Sequence, residues 1–190
     1  MHWSLKALLW GAAVAIGAAS GLAAQRMLSA DAAWMPALSV DKPQAGAAVL
    51  GQPAPKLQLR DAHGVMRQLT DWRGTAVLVN FWATWCPPCR EEIPDLAVLH
   101  QTFEDAGFAV IGVALDEAQP VAAFLQAFEI PYVNLIASGM AAAPIQRQWD
   151  NPTGMLPYSV AIDRQGRVVD AHLGVLSPSQ MRAMADLAMQ

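Results

Sequence analysis

The chain has two cysteines, Cys86 and Cys89, and both lie in one pentapeptide, Trp85-Cys86-Pro87-Pro88-Cys89. The pentapeptide follows an apolar run over residues 76–83 and precedes Arg90-Glu91-Glu92, which opens a helical pattern. A C-x-x-C pair at a strand-to-helix junction reads as a redox dithiol. The chemistry explains the placement. Partial positive charge and unpaired N–H groups at a helix N-terminus favour thiolate over thiol at Cys86. Cys89, about one turn further in, is near enough to close a disulfide and less exposed. Cys86 is therefore the expected nucleophile, forming a mixed disulfide that Cys89 resolves. Pro87 and Pro88 remove two N–H groups from the turn and stiffen it. Glu92 falls three residues after Cys89, on the same helical face. A metal site is the competing use of the two sulfurs. Zinc takes four protein ligands, or three plus water, and no second cysteine pair exists. The expectation is a redox-active Cys86–Cys89 disulfide with no cofactor and no metal.

The stretch Phe81-Trp82-Ala83-Thr84-Trp85-Cys86-Pro87-Pro88-Cys89-Arg90-Glu91-Glu92-Ile93-Pro94 resembles the thioredoxin-like thiol:disulfide oxidoreductases of bacterial envelopes, most of all the membrane-anchored TlpA/ResA/CcmG type. The resemblance extends from about residue 50 to the C-terminus. It takes in Gly51-Gln52-Pro53-Ala54-Pro55, Asp71-Trp72-Arg73-Gly74 and Gly154-Met155-Leu156-Pro157. It implies that Glu92 manages the proton of the second thiol. A carboxyl group in an apolar site has its pKa raised, which suits that task near neutral pH. Asn80 agrees with this: thioredoxin has a buried aspartate at the corresponding strand position, and asparagine cannot titrate. The resemblance also implies a cis peptide at Pro157, the linkage where cis is least unfavourable. Trp85, Pro87, Leu156 and Pro157 would then form the substrate-facing surface, with Leu156 offering backbone groups to an extended client. Trp82 is expected to pack in the core. The implied activity is reduction of envelope protein disulfides, in cytochrome c maturation or copper-site assembly, with a membrane electron-relay protein as reductant. An oxidase or isomerase on the same scaffold, or a copper(I) chaperone using both sulfurs, is the alternative.

Other tempting residues read as structural or merely exposed. His63, His100 and His172 have no partner spacing, and Met181, Met184 and Met189 match core positions of a last helix. The segment around Gly51 also opens peroxiredoxins. Their peroxidatic cysteine follows a threonine by three positions with a proline upstream, whereas Thr84 precedes Cys86 by two. Peroxidase chemistry is not expected.

The elements that position the dithiol can be read along the chain. Residues 1–25 are expected to be a membrane anchor or a removable signal peptide: from Leu5 to Ala24 the sequence is almost wholly apolar, with Lys6 the only charge. Either reading exports the rest, placing the catalytic domain in the periplasm at the bacterial inner membrane, or on the outer face of the cell membrane. Residues 26–48, rich in Ala, Pro and Gly, read as a linker whose irregular part would span roughly 25 Å as a coil. Residues 49–190 are expected to form a thioredoxin-like α/β domain with an N-terminal β-hairpin and a central insertion over about residues 116–153. The pattern is a hairpin (57–60 and 65–69), a central strand (75–83), and a helix from Cys86 to about 106 that Pro94 should kink or break. Leu96, Val98, Leu99 and Phe103 are its expected core face. A buried strand (108–115), helix (121–128), strand (132–136) and helix (142–149) follow. Strands 158–163 and 167–173 and an amphipathic helix (178–189) complete it. The net charge of −4 leaves no basic footprint for nucleic acid.

Overall fold

In the computed structural model, which describes residues 45–190, β3 (Ala76–Trp82) has all seven residues buried. That is the signature of a strand covered on both faces. It pairs in parallel with β4 (Phe108–Ala114) and antiparallel with β6 (Tyr158–Ile162). Outward from β4 come β5 (Asn134–Ile136), β1 (Gln58–Asp61) and β2 (Met66–Gln68), and outward from β6 comes β7 (Val168–Leu173). The seven-stranded order is β2-β1-β5-β4-β3-β6-β7.

Alternation along β3 divides the core. Val77, Val79 and Phe81 face one layer, with Trp149, Tyr158 and Val160. Ala76 and Leu78 face the other, against Leu96 and Leu99 of α1 (Pro87–Phe103) and Met181 and Met184 of α4 (Pro178–Ala188). Asn80 continues this second face, so the one polar residue of the strand points beneath α1. Between β4 and β6 run α2 (Ala118–Ala127), β5 and α3 (Ala142–Gln148).

The expected hairpin forms at β1–β2. Asp61 shapes its turn by accepting from the His63 and Val65 amides and from Arg67 Nε at 3.0 Å. Burial pushes its pKa up, yet these donors outweigh burial and hold it below the usual carboxylate range. The segment read as an insertion is built into the sheet, because β5 bridges β4 and β1. Three expectations are corrected. Pro94 does not break the helix: α1 runs through it. The carbonyl that a residue with an N–H at position 94 would have bonded is that of Arg90, an exposed residue. The helix ends at Phe103, short of residue 106, and a 3-10 turn (Glu104–Ala106) leads to Gly107 at a left-handed φ of 78°. Val98 is 62% exposed. It lies two residues from Leu96, on the opposite side of the helix, while Leu96, Leu99 and Phe103 keep one stripe.

Residues 45–48, read as the end of the linker, are held to the domain: Gly46 N–H donates to Asp150 O at 3.0 Å, and Ala48 N–H to Asp150 Oδ2 at 2.7 Å. Gly46 has φ 90°, and a Cβ there would overlap Ala171. The expected anchor and the rest of the linker lie outside the described residues. Among the described residues no helix is long and apolar enough to cross a membrane.

Candidate active site

The β3–α1 junction delivers the two cysteines. Cys86 is the N-cap of α1 in extended conformation, with Pro87 and Pro88 in the first turn, where their missing N–H groups leave no helical bond unmade. Cys86 and Cys89 are joined in a disulfide with Cα atoms 5.3 Å apart. Cys86 Sγ accepts from the Cys89 N–H at 3.3 Å. Cys86 is 5% exposed and Cys89 fully buried, the order expected of an attacking and a resolving sulfur. The junction is clamped from the neighbouring strand. Asp116, just beyond β4, accepts from Thr84 N–H at 3.0 Å and from the Thr84 hydroxyl. Asp116 was not singled out from the sequence; its signal is only that it follows the strand parallel to β3.

Trp85 is 67% exposed beside the sulfurs, whereas Trp82 is fully buried and donates from Nε1 to Asn134 Oδ1 at 2.9 Å. Leu156 packs on the cluster that contains Cys86 and Cys89, which brings the Leu156–Pro157 segment to the dithiol. The Leu156–Pro157 peptide is cis, and Pro157 O accepts from Gly174 N–H at 2.9 Å. The loop is fixed from behind: Asn151 Nδ2 donates to Met155 O at 2.9 Å and Tyr158 OH to Trp149 O at 2.7 Å. Burial, together with the charge of Asp150, keeps the Tyr158 phenol protonated well above its ordinary value. Met155 and Val175 are exposed near this loop.

Beneath the dithiol lies Glu92, 1% exposed, while Glu91 faces solvent. Glu92 Oε1 accepts from Asn80 Nδ2 at 2.7 Å, and Oε2 from the Leu176 N–H at 2.9 Å. Burial raises its pKa from 4.5 to about 7, against the opposing pull of those two donors. Asn80 Nδ2 also donates to Ser159 Oγ at 3.0 Å. Ser159 and Leu176 were missed in the sequence, since neither is near the motif in the chain.

His63 is exposed, while His100 takes a structural place. His100 Nδ1 accepts from Val110 N–H at 3.3 Å, and burial lowers its pKa against the charge of Glu104. Met181 and Met184 are buried as expected. Among the described residues no three His, Cys, Asp or Glu side chains converge as a metal-binding group. Two clefts, of about 620 and 520 Å³, are lined by neither cysteine.

A disulfide at a helix N-cap, a cis-proline loop against it and a carboxyl group buried below define a thioredoxin-like thiol:disulfide oxidoreductase. Residues 49–187 match the Redoxin family, and the chain belongs to it, as an enzyme of the TlpA/ResA/CcmG type. The thioredoxin-like protein YneN of Bacillus subtilis is 32% identical over 142 residues, covering 72% of this chain and 79% of the relative. Thiol-disulfide oxidoreductase ResA of Bacillus cereus is 29% identical over 133 residues, covering 70% and 74%. The crystal structure of a thiol:disulfide interchange protein of Chlorobium tepidum superposes with a TM-score of 0.62 at 30% identity, over 72% of this chain and 94% of that one.

Proposed function

We propose that this protein is a membrane-tethered reductant of specific disulfides in envelope proteins, with Cys86 as nucleophile, Cys89 as resolving thiol and Glu92 as the group that takes and returns the resolving proton. The observation that carries this reading is the buried Glu92 one turn beyond a disulfide at the α1 N-terminus. In the reduced enzyme the Cys86 thiolate attacks one sulfur of a client disulfide. The client S–S bond breaks, and one client sulfur leaves as thiolate and is protonated. Cys89 gives its proton to the Glu92 carboxylate, and its thiolate attacks Cys86 Sγ. The second client sulfur leaves as a thiolate and is protonated, Glu92 gives up the proton it took, and the Cys86–Cys89 disulfide remains. Two electrons have passed to the client, and a membrane electron-relay protein would restore the dithiol. Client candidates are the haem-attachment cysteines of apocytochrome c and the cysteines of copper sites.

Trp85, Pro87, Leu156 and Pro157 would line the client, with Leu156 main-chain groups pairing to its extended segment. The apolar residues 5–24 support an anchor that keeps the domain on the periplasmic side. The test uses the full chain and a disulfide-containing protein substrate. Cys86→Ser abolishes turnover, and Cys89→Ser accumulates a mixed disulfide with the client that is seen on non-reducing gels. Wild-type turnover in Cys86→Ser would sink the mechanism.

A further inference from the structure

The polar neighbours of Glu92 differ in what they can do. The Leu176 N–H only donates, so Oε2 stays an acceptor whether or not the carboxyl group is charged. A proton on Glu92 therefore belongs on Oε1, the oxygen facing Asn80. With the carboxylate charged, Asn80 Nδ2 gives one hydrogen to Oε1 and the other to Ser159 Oγ. Asn80 Oδ1 is then left buried with no partner. With Oε1 protonated, two donors would face each other.

Exchanging the amide nitrogen and oxygen removes that conflict. Oδ1 then accepts from the Glu92 O–H, and the Ser159 hydroxyl, able to donate as well as accept, gives its hydrogen to the same oxygen. Asn80 and Ser159 are cross-strand partners in register, both fully buried, so neither can turn to solvent instead. Tyr132, ahead of β5, is close enough to feel the Glu92 charge, and Cys89 lies one turn back on α1. The Tyr132 hydroxyl is buried without a partner, and burial keeps it protonated. No ionised side chain is among the groups that set the proton affinity of Glu92.

We propose that Asn80 and Ser159 are positioning residues for the proton transfer: the Asn80 amide reverses end for end as Glu92 gains or loses its proton, so the Glu92–Asn80–Ser159 contacts stay hydrogen-bonded in both states while the far end of the amide is unpaired in each. This rests on Glu92 as the acid–base group. It gives Asn80, which cannot titrate, a part in the proton step.

The full chain in detergent, labelled with ¹³C and ¹⁵N, reads this directly. The side-chain amide signals of Asn80 and the carboxyl carbon of Glu92 are followed from about pH 5 to about pH 9, bracketing the titration. Asn80 signals that move with the midpoint of Glu92 are the expected result. Asn80→Leu then raises that midpoint by about one unit, because the charged form loses a charge-assisted donor while the neutral form loses only a weaker neutral hydrogen bond. The wild-type titration needs no variant to fold. Asn80 signals that stay fixed while Glu92 titrates, or an unchanged midpoint in Asn80→Leu, would overturn the amide reversal. Thiol-exchange rates in Glu92→Gln separate the two levels. An unchanged rate removes Glu92 from the chemistry, and the positioning role falls with it. Slowed exchange with silent Asn80 signals removes the reversal alone.

Discussion

At the scale of single residues, Glu92 carries an energetic cost that its place in the chemistry explains. Its carboxyl group titrates near 4.5 when unfolded and at about 7 in the fold, because burial outweighs two hydrogen bonds. Below pH 4.5 both states hold the proton and there is no penalty. As pH rises through this window the unfolded chain releases its proton first. The native state then binds more protons, so stability falls with pH and reaches its full deficit above about 7. The deficit amounts to about 3 kcal/mol. Glu92→Gln is expected to remove this decline. Urea unfolding of variant and wild type at acid and alkaline pH checks it, since the gap between them should widen in favour of the variant as pH rises. A constant gap would show that Glu92 does not titrate in this window. The cysteines and Glu92 were legible in the sequence because their spacing is local to one helix. Ser159 and Leu176 were not, because only strand pairing and the β7–α4 turn bring them to Glu92.

At the scale of elements, the dithiol is held by two strands and the loops beyond them. β4 crosses beside β3 at Gly112, the register partner of Asn80. A Cβ at Gly112 would overlap Asn134 Oδ1, the acceptor for buried Trp82 Nε1. Gly112→Ala should therefore displace Asn134 and strip Trp82 of its partner at the foot of the active-site strand. The expected loss is about 3 kcal/mol, from overpacking and an unpaired buried donor together. Denaturant unfolding measures it, and a loss under about 1 kcal/mol would mean that Asn134 moves aside freely. Element types were mostly readable from periodicity: strand β3, helix α4 with its Ser177 capping box, and the hairpin all fall close to their expected places. Of the kink or break expected at Pro94, the break does not occur, because α1 continues through it to Phe103 and the residue whose carbonyl loses its bond is exposed. The place of β5 was missed because a three-residue strand carries too little alternation to name its neighbours.

At the scale of the whole molecule, the proposed direction of electron flow is a thermodynamic quantity. A dedicated reductant working in an oxidising compartment should have a Cys86–Cys89 potential below about −200 mV, on the thioredoxin side of the known range. Equilibration of the full chain with glutathione buffers measures it, and a value near about −120 mV would make this protein a disulfide donor instead. By itself the sequence determined the dithiol, its helix, the thioredoxin-like class and the likeness to envelope oxidoreductases, because each rests on short-range spacing and ordered motifs. Only the tertiary structure decided that Glu92 is buried and that Asn80 and Ser159 surround it. Only the fold decided that Asp116 holds Thr84 and that Leu156 packs on the cluster containing the cysteines. These contacts join residues far apart in the chain, and burial is a property of how layers close rather than of any one segment.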